Sequence, residues 1–316
     1  MIYIYKGKNP DGMSMDLVAR QVAAGIPGSE VVSSLHMITA ADTVINVLME
    51  DVSKVLDLRR YVGKFKYLTI MACNAEELPA PDLVRSLLYH TEDVLVLHSE
   101  HSRKIVSDVL REYLSPAMRM ALSRNIVTEL YGVEPGFMRG TNDKCSWIAP
   151  FNRCNSVQKN VPLHAKVTET LTNYLAVKGS KVETTLYLPE NGFGTTPPSI
   201  YRVEAQPKNR SDYKENARKF GMFICTSNFE SFGIYYLKLL LSGVVGVFLR
   251  KPWVEKLLPG YPLMANNQEE LQVIALRVFH SYEMYRIMIL DEWGPRIREM
   301  YSLDRFQKRI ANLIGE

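Results

Sequence analysis

Short apolar runs alternate along this chain with stretches whose apolar positions fall at helical spacing. Ile2–Tyr5 and residues 44–48, 67–72, 94–98 and 126–130 are each four to six residues long and rich in Val, Ile, Leu or Tyr. Runs that short fit buried strands better than helices. Between them, Ser14–Ala24 places Leu17, Val18, Val22 and Ala23 toward a core, and residues 52–60, 82–90 and 99–113 read as further helices. Residues 6–12 carry Asn-Pro and Asp-Gly pairs and read as a loop. Strands alternating with helices predict a parallel sheet covered on both faces, with ligands bound beyond the carboxyl ends of the strands.

The pattern then breaks and restarts. Residues 132–144 are rich in turn formers and lack apolar periodicity, so they read as a linker. A second alternation begins with a strand at 146–149, a loop at 150–160, a helix at 162–177, a strand at 182–188 and a loop at 191–198. Residues 222–225 form a buried strand and 226–233 a polar loop in which Ser227, Asn228 or Ser231 could cap the helix 234–242. Gly243 stops that helix, and 244–249 is a second apolar strand. From residue 269 onward the chain is mostly helical, interrupted near Trp293-Gly294-Pro295. The loop before residue 234 meets a helix amino terminus at a strand's carboxyl end, where free N–H groups and the helix dipole favour an anion.

Bulk numbers narrow the class. At 316 residues, 47% hydrophobic and 23% charged, the chain suits two globular domains. The net charge of +4 is unevenly spread: residues 1–150 hold 16 basic and 18 acidic side chains, and residues 151–316 hold 22 and 16. A diphosphate-bearing ligand would prefer the second half, although a solvated basic face accounts for the excess equally well. Cys73, Cys145, Cys154 and Cys225 show no Cys-x-x-Cys spacing, so neither a zinc site nor a disulfide framework is indicated, which suits a reducing cytoplasm. The amino terminus is too short and too soon charged for a signal peptide, and no run of about 18 apolar residues could span a membrane. The usual signatures for ATP loops, nicotinamide binding, zinc peptidases and serine hydrolases are missing, as is Asp-x-Asp.

Phe229-Glu230-Ser231-Phe232-Gly233, followed by a helix ending in Ser242-Gly243 and an apolar strand, resembles the donor-binding motif of retaining glycosyltransferases of the GT-B fold. The likeness is good over residues 146–280 and only topological over 1–131. It implies an α/β protein of two Rossmann-like domains facing across a cleft. An acceptor-side domain would occupy residues 1–135 and a nucleotide-sugar domain 146–290, with helices at 291–316 crossing back to the first. The family directs an Arg and a Lys at the donor diphosphate, and Arg153 and Lys159 stand at the matching positions with five residues between them. Solvated loop cations are the plainer account of that pair taken alone. Glu230 would meet the donor sugar hydroxyls; as a carboxylate near a helix amino terminus it would also suit the dipole. Ser231, Phe232 and Gly233 complete the donor loop, and Gly12 resembles the family's glycine loop. Phe229, Phe232, Tyr235 and Tyr236 read as packing rather than as platforms for a sugar.

Two positions depart from the family. A second Glu, assigned there to the ribose hydroxyls, is Lys238 here, and a His at a strand end is replaced by Cys73-Asn74, with His98 and His101 as substitutes. Asn74 is accordingly a candidate substrate contact. The resemblance implies metal-independent transfer from a nucleoside diphosphate sugar, UDP-linked, with no further cofactor. The acceptor is named first as a hydroxymethylated base in DNA, because viral enzymes with that activity have this size and fold, and Arg59-Arg60, Lys64, Lys66 and Arg103-Lys104 could touch phosphates. Solvated faces explain those cations as well. A saccharide, lipid or small-molecule acceptor, or a non-catalytic binding module on the same scaffold, stays open.

Overall fold

In the computed structural model the described residues are 1–8, 14–47, 51–70, 93–97, 100–128, 132–133, 140–151, 157–188, 196–207, 210–230 and 233–315. The chain divides into two compact units, Met1–Gly132 with Tyr301–Glu316, and Val133–Met300. The first contains strands β1 (Ile2–Tyr5), β2 (Ser29–Val32), β3 (Thr43–Asn46), β4 (Lys66–Ile70), β5 (Val94–Leu97) and β6 (Ile126–Thr128), in the order β2-β1-β3-β4-β5-β6. The second contains β7 (Asp143–Ile148), β8 (Glu183–Leu188), β9 (Tyr201–Ala205), β10 (Phe220–Cys225), β11 (Val245–Leu249) and β12 (Met264–Ala265), in the order β12-β11-β10-β7-β8-β9. Every pairing in both sheets is parallel.

The second order is that of a doubly wound sheet. The chain builds outward from β7 through β8 to β9, then returns to β7's other side and builds through β10, β11 and β12. Its topological switch point therefore lies between β7 and β10, which pair directly. Ligands in open α/β sheets bind outside the carboxyl ends of the strands at that point. The first unit has its own switch between β1 and β3, which also pair directly.

Central strands are apolar on both faces because helices cover both. All residues of β10 and β11 are buried. Gly246 in β11 has a packing reason: a Cβ there would lie 2.3 Å from Cζ of Phe223, so the glycine makes room for the ring. The core of the first unit gathers Tyr3, Tyr5, Val44, Tyr67, Leu95 and Val106. Its last helix, Leu303–Ile314, is capped by Ser302, whose Oγ accepts from Arg305 N at 3.3 Å. That helix is joined to the helix Ser14–Ala24 by Gln307 Nε2 donating to the carbonyl of Gln21 at 2.7 Å.

Several elements differ from the sequence expectation. β2, β9 and β12 were not foreseen, nor were the helices Pro116–Ser123, Arg210–Ala217 and Pro252–Leu257. The expected linker ends sooner, because β7 already begins at Asp143 and Phe220 of β10 pairs with it. The interruption near Trp293-Gly294-Pro295 is a π segment, Ile289–Trp293, that runs directly into the helix Gly294–Met300. Gly294 N–H returns to the carbonyl of Ile289, and this wider register tolerates a proline that has no N–H to give. The expected helix at 82–90 and the ends of the strands at 48, 71–72, 98 and 129–130 lie outside the described residues. Among the described residues, no helix is long and apolar enough to cross a membrane.

Arg59 is not available to a phosphate. It makes a bidentate pair with buried Asp93, donates to the carbonyl of Phe65 at 2.7 Å, and lies over the Phe65 ring at 4.9 Å. It ties the amino ends of β4 and β5 together.

Candidate functional site

Two segments meet at the switch point of the second unit, one leaving the carboxyl end of β7 and one that of β10. After Phe151, whose ring is buried, the described chain resumes at a 3-10 turn, Val157–Lys159. Asn160 then takes a left-handed conformation, φ 49°, and the helix Val161–Val177 begins. After Cys225 the second segment runs through Thr226 to Glu230, and Gly233 caps the helix Ile234–Leu241 at φ 74°. A Cβ at Gly233 would be strained by that φ and would lie 3.0 Å from both Leu257 Cδ2 and Trp253 Cζ3.

The two segments are stitched together through their backbones. Asn228 N donates to the carbonyl of Gln158 at 2.8 Å, and Asn228 Nδ2 to that of Val157 at 3.0 Å. Thr226 Oγ1 donates to the carbonyls of Lys159 and Asn160 at 3.2 and 3.3 Å. Trp253 Nε1 donates to the carbonyl of Ser227 at 3.2 Å. The loops thus hold their side chains in place before any ligand arrives.

Their side chains converge on Glu230. Lys159 Nζ forms an ion pair with Glu230 Oε1, the two side chains being 18% and 7% exposed. Gln158 Nε2 donates to Glu230 Oε2 at 3.2 Å, and the Tyr236 hydroxyl donates to Oε1 at 2.9 Å. Ser227 Oγ lies 2.7 Å from the Tyr236 oxygen. A phenol has one proton to give. Since Tyr236 gives it to the carboxylate, Ser227 is the donor in the other contact, and the order is Ser227 to Tyr236 to Glu230. Burial first, and the neighbouring Cys225 and Glu230 next, hold the Tyr236 hydroxyl far above its ordinary pKa, so it remains a donor. The Cys225 thiol, pushed up to about 12 chiefly by burial, is no nucleophile.

Tyr236 is both packing and site. Its ring sits among Phe223, Phe248 and Trp253 at centroid distances of 5.8, 5.8 and 5.5 Å, as its apolar setting leads one to expect. Its hydroxyl role was not foreseen, nor that of Gln158. Side chains in the first turn of a helix lean back toward its amino terminus, which is the signal that could have pointed Tyr236 at Glu230.

Of the other candidates, Gly233 and the amino end of its helix lie in this same segment. Lys238 is half-buried one turn beyond Ile234, on a helix whose residues Leu237, Leu239, Leu240 and Leu241 are buried. Arg153, Ser231, Phe232, Gly12, Asn74, Cys73 and His98 lie outside the described residues, as does the side chain of His101. Next to the site, His164 is fully buried, with Nδ1 2.7 Å from the Tyr201 hydroxyl and its ring edge-on to Phe151 at 5.0 Å. Burial holds its pKa down at about 3, so the ring is neutral.

No family model matches the chain, and no curated protein matches it. Solved structures do. HepE of Anabaena, in complex with UDP and glucose, matches with a TM-score of 0.74 at 10% identity, over 99% of this chain and 99% of that one. WaaG, a glycosyltransferase involved in lipopolysaccharide biosynthesis, matches with a TM-score of 0.66 at 12% identity over 100% of both chains. TarM gives a TM-score of 0.64 at 12% identity over 87% of this chain, which spans only 55% of TarM. At these identities the likeness is one of fold. Two six-stranded parallel sheets, each with helices, make this an α/β protein of the GT-B architecture.

Proposed function

We propose that this chain is a retaining GT-B glycosyltransferase that takes its sugar from a UDP-linked donor. The observation that carries the reading is the meeting of Lys159 and Glu230, 71 residues apart in sequence, at the β7–β10 switch point beside the helix amino terminus at Gly233. An enzyme of this class needs a cation and N–H donors for a departing diphosphate, and an acceptor of hydrogen bonds for the sugar. Both stand at the place where a doubly wound sheet binds its ligand. That HepE holds UDP-glucose supports the choice of donor.

In the proposed reaction the bond between the anomeric carbon and the diphosphate oxygen breaks, and its electron pair leaves with UDP. Lys159, Arg153 and the amides of the Gly233 helix offset the charge that builds on the diphosphate. The acceptor hydroxyl attacks from the face the diphosphate leaves, so the configuration is kept. Its proton passes to a diphosphate oxygen. Glu230 accepts hydrogen bonds from the sugar hydroxyls and fixes the ring in register. The first acceptor to test is DNA carrying hydroxymethylated bases, followed by saccharides, lipids and small molecules. A cytoplasmic setting fits that choice.

The experiment is to incubate the purified protein with UDP-glucose, UDP-galactose and UDP-N-acetylglucosamine, with and without hydroxymethylated DNA, and to follow UDP release and the anomeric signal of the product. Release of UDP with a retained product bears the reading out. Binding of UDP without turnover on any acceptor would favour a binding module, a reading that the Lys in place of the second Glu makes specific.

A further inference from the structure

Among the described residues Glu230 is held by three side chains, and one of them is a cation that the donor itself would claim. If Lys159 turns to a diphosphate, the carboxylate loses its charged partner while staying mostly buried. A buried carboxylate without donors is expensive. Gln158 and Tyr236 prevent that state. They bond different oxygens of the carboxylate, Oε2 and Oε1, so together they fix both its position and its plane.

We infer that Tyr236 and Gln158 are positioning residues for recognition of the donor's sugar: they hold the Glu230 carboxylate bonded and aimed while Lys159 exchanges from it to the diphosphate. This rests on the proposed donor site and deepens it. The Tyr236 ring is wedged among Phe223, Phe248 and Trp253, and its oxygen takes a further bond from Ser227, so its hydroxyl cannot follow Lys159. Gln158 is fixed by its own carbonyl, which accepts from Asn228 N. Lys159, by contrast, has a long flexible stem. The exchange gives the site a way to tell donor from product. An intact UDP-sugar satisfies Lys159 with its diphosphate and Glu230 with its hydroxyls. UDP alone draws Lys159 away and offers Glu230 nothing in return, so the product is held less tightly and departs.

The test is titration of the wild type, Tyr236→Phe and Gln158→Met with UDP, UDP-glucose and UDP-N-acetylglucosamine, alongside thermal unfolding of each. We expect the wild type to bind one of the UDP-sugars more tightly than UDP. Each variant should lose about tenfold for that UDP-sugar, the worth of one hydrogen bond to a charged group, and at least severalfold for UDP, because Lys159 then leaves Glu230 with one donor fewer. Tyr236→Phe keeps the ring and its packing, and Gln158 lies outside the core, so at least one variant will retain the wild-type unfolding temperature. A wild type that binds neither UDP nor a UDP-sugar would overturn the donor site itself, and this inference with it. A wild type that binds both, with variants that fold as the wild type does and lose affinity for neither, would leave the donor site standing and show that the two residues serve packing alone.

Discussion

Two ion pairs, one taken from each unit, are built for opposite ends. Arg59 and Asp93 lie at the amino ends of β4 and β5, their side chains 9% and 1% exposed. The guanidinium uses two nitrogens on the two carboxylate oxygens, gives another bond to the Phe65 carbonyl, and Asp93 accepts from the backbone of Tyr67 at 3.2 Å. Lys159 and Glu230 lie at the carboxyl ends of β7 and β10, more exposed on the cation's side, and Glu230 takes its other bonds from side chains. An arginine fork tied to backbone has no second arrangement to go to. A lysine on one oxygen of a carboxylate with two other donors can leave without stranding it. The pairs also sit at opposite ends of their sheets, Arg59–Asp93 at the amino ends of its strands and Lys159–Glu230 at the carboxyl ends, where doubly wound sheets bind ligands.

The largest effect should come from breaking the fixed pair. Arg59→Met leaves buried Asp93 without its cation, and should lower stability by about 3–5 kcal/mol, read as the urea midpoint. The affinity of the remaining folded protein for UDP should not change. A loss below about 1 kcal/mol would mean that Asp93 finds water or another donor, and that the pair is no more structural than its counterpart.

A buried polar pair of a third kind sharpens the contrast because it carries no charge. His164 is neutral against the Tyr201 hydroxyl, its pKa held down at about 3 by burial, against 6.5 when exposed. The folded value is the lower one, so the unfolded chain takes up the proton first as pH falls. The contribution is complete above about pH 6.5 and lost on acidification toward about pH 3, at close to 1.4 kcal/mol per pH unit once well below the upper value. Unfolding measured from pH 7 to 4 should show that slope, and His164→Gln should flatten it. Parallel slopes in the two proteins would contradict it.

Much of this was legible in one dimension, and the parts that were not share physical reasons. Strands β10 and β11 announce themselves because a strand buried on both faces must be apolar throughout. β9, Tyr-Arg-Val-Glu-Ala, lies at a sheet edge with three of its five residues exposed, and an edge strand needs no apolar run. β12 is two residues long and pairs with Phe248 and Leu249 of β11. The helix Arg210–Ala217 is polar at nearly every position, so no periodicity marks it. In the site, the positions of Lys159 and Glu230 follow from motif and spacing, but their contact does not, because it depends on two loops brought together by strand order. Gln158 and Tyr236 carry no motif, and a tyrosine among aromatics reads as core.

Smaller in effect, and aimed at the exchangeable pair, is Lys159→Ala. Losing a charged hydrogen bond to the diphosphate should weaken UDP binding by about 1.5–3 kcal/mol, while Gln158 and Tyr236 keep Glu230 bonded and the fold stays within about 1 kcal/mol of wild type. Arg153→Ala should act in the same direction on UDP. Calorimetric titration beside thermal unfolding separates the two quantities. A large fall in stability with unchanged UDP affinity would place Lys159 in the same category as Arg59.

The smallest expected effect concerns a cation that belongs to neither pair. Lys238 stands eight residues after Glu230, where the resembling family has a carboxylate for the ribose, and it is half-buried on the helix whose amino end is proposed to meet the diphosphate. An ammonium donates only, whereas a carboxylate accepts from both ribose hydroxyls. Lys238→Glu should therefore restore a nucleoside contact of about 1 kcal/mol, a severalfold gain for UDP. Pyrophosphate, which has no ribose, should gain nothing, and the lost positive charge should weaken it slightly. The ratio of the two affinities is the readout, since it cancels the change in net charge. A ratio that does not move would mean that Lys238 faces away from the nucleotide, and that the donor is held through its diphosphate and sugar alone.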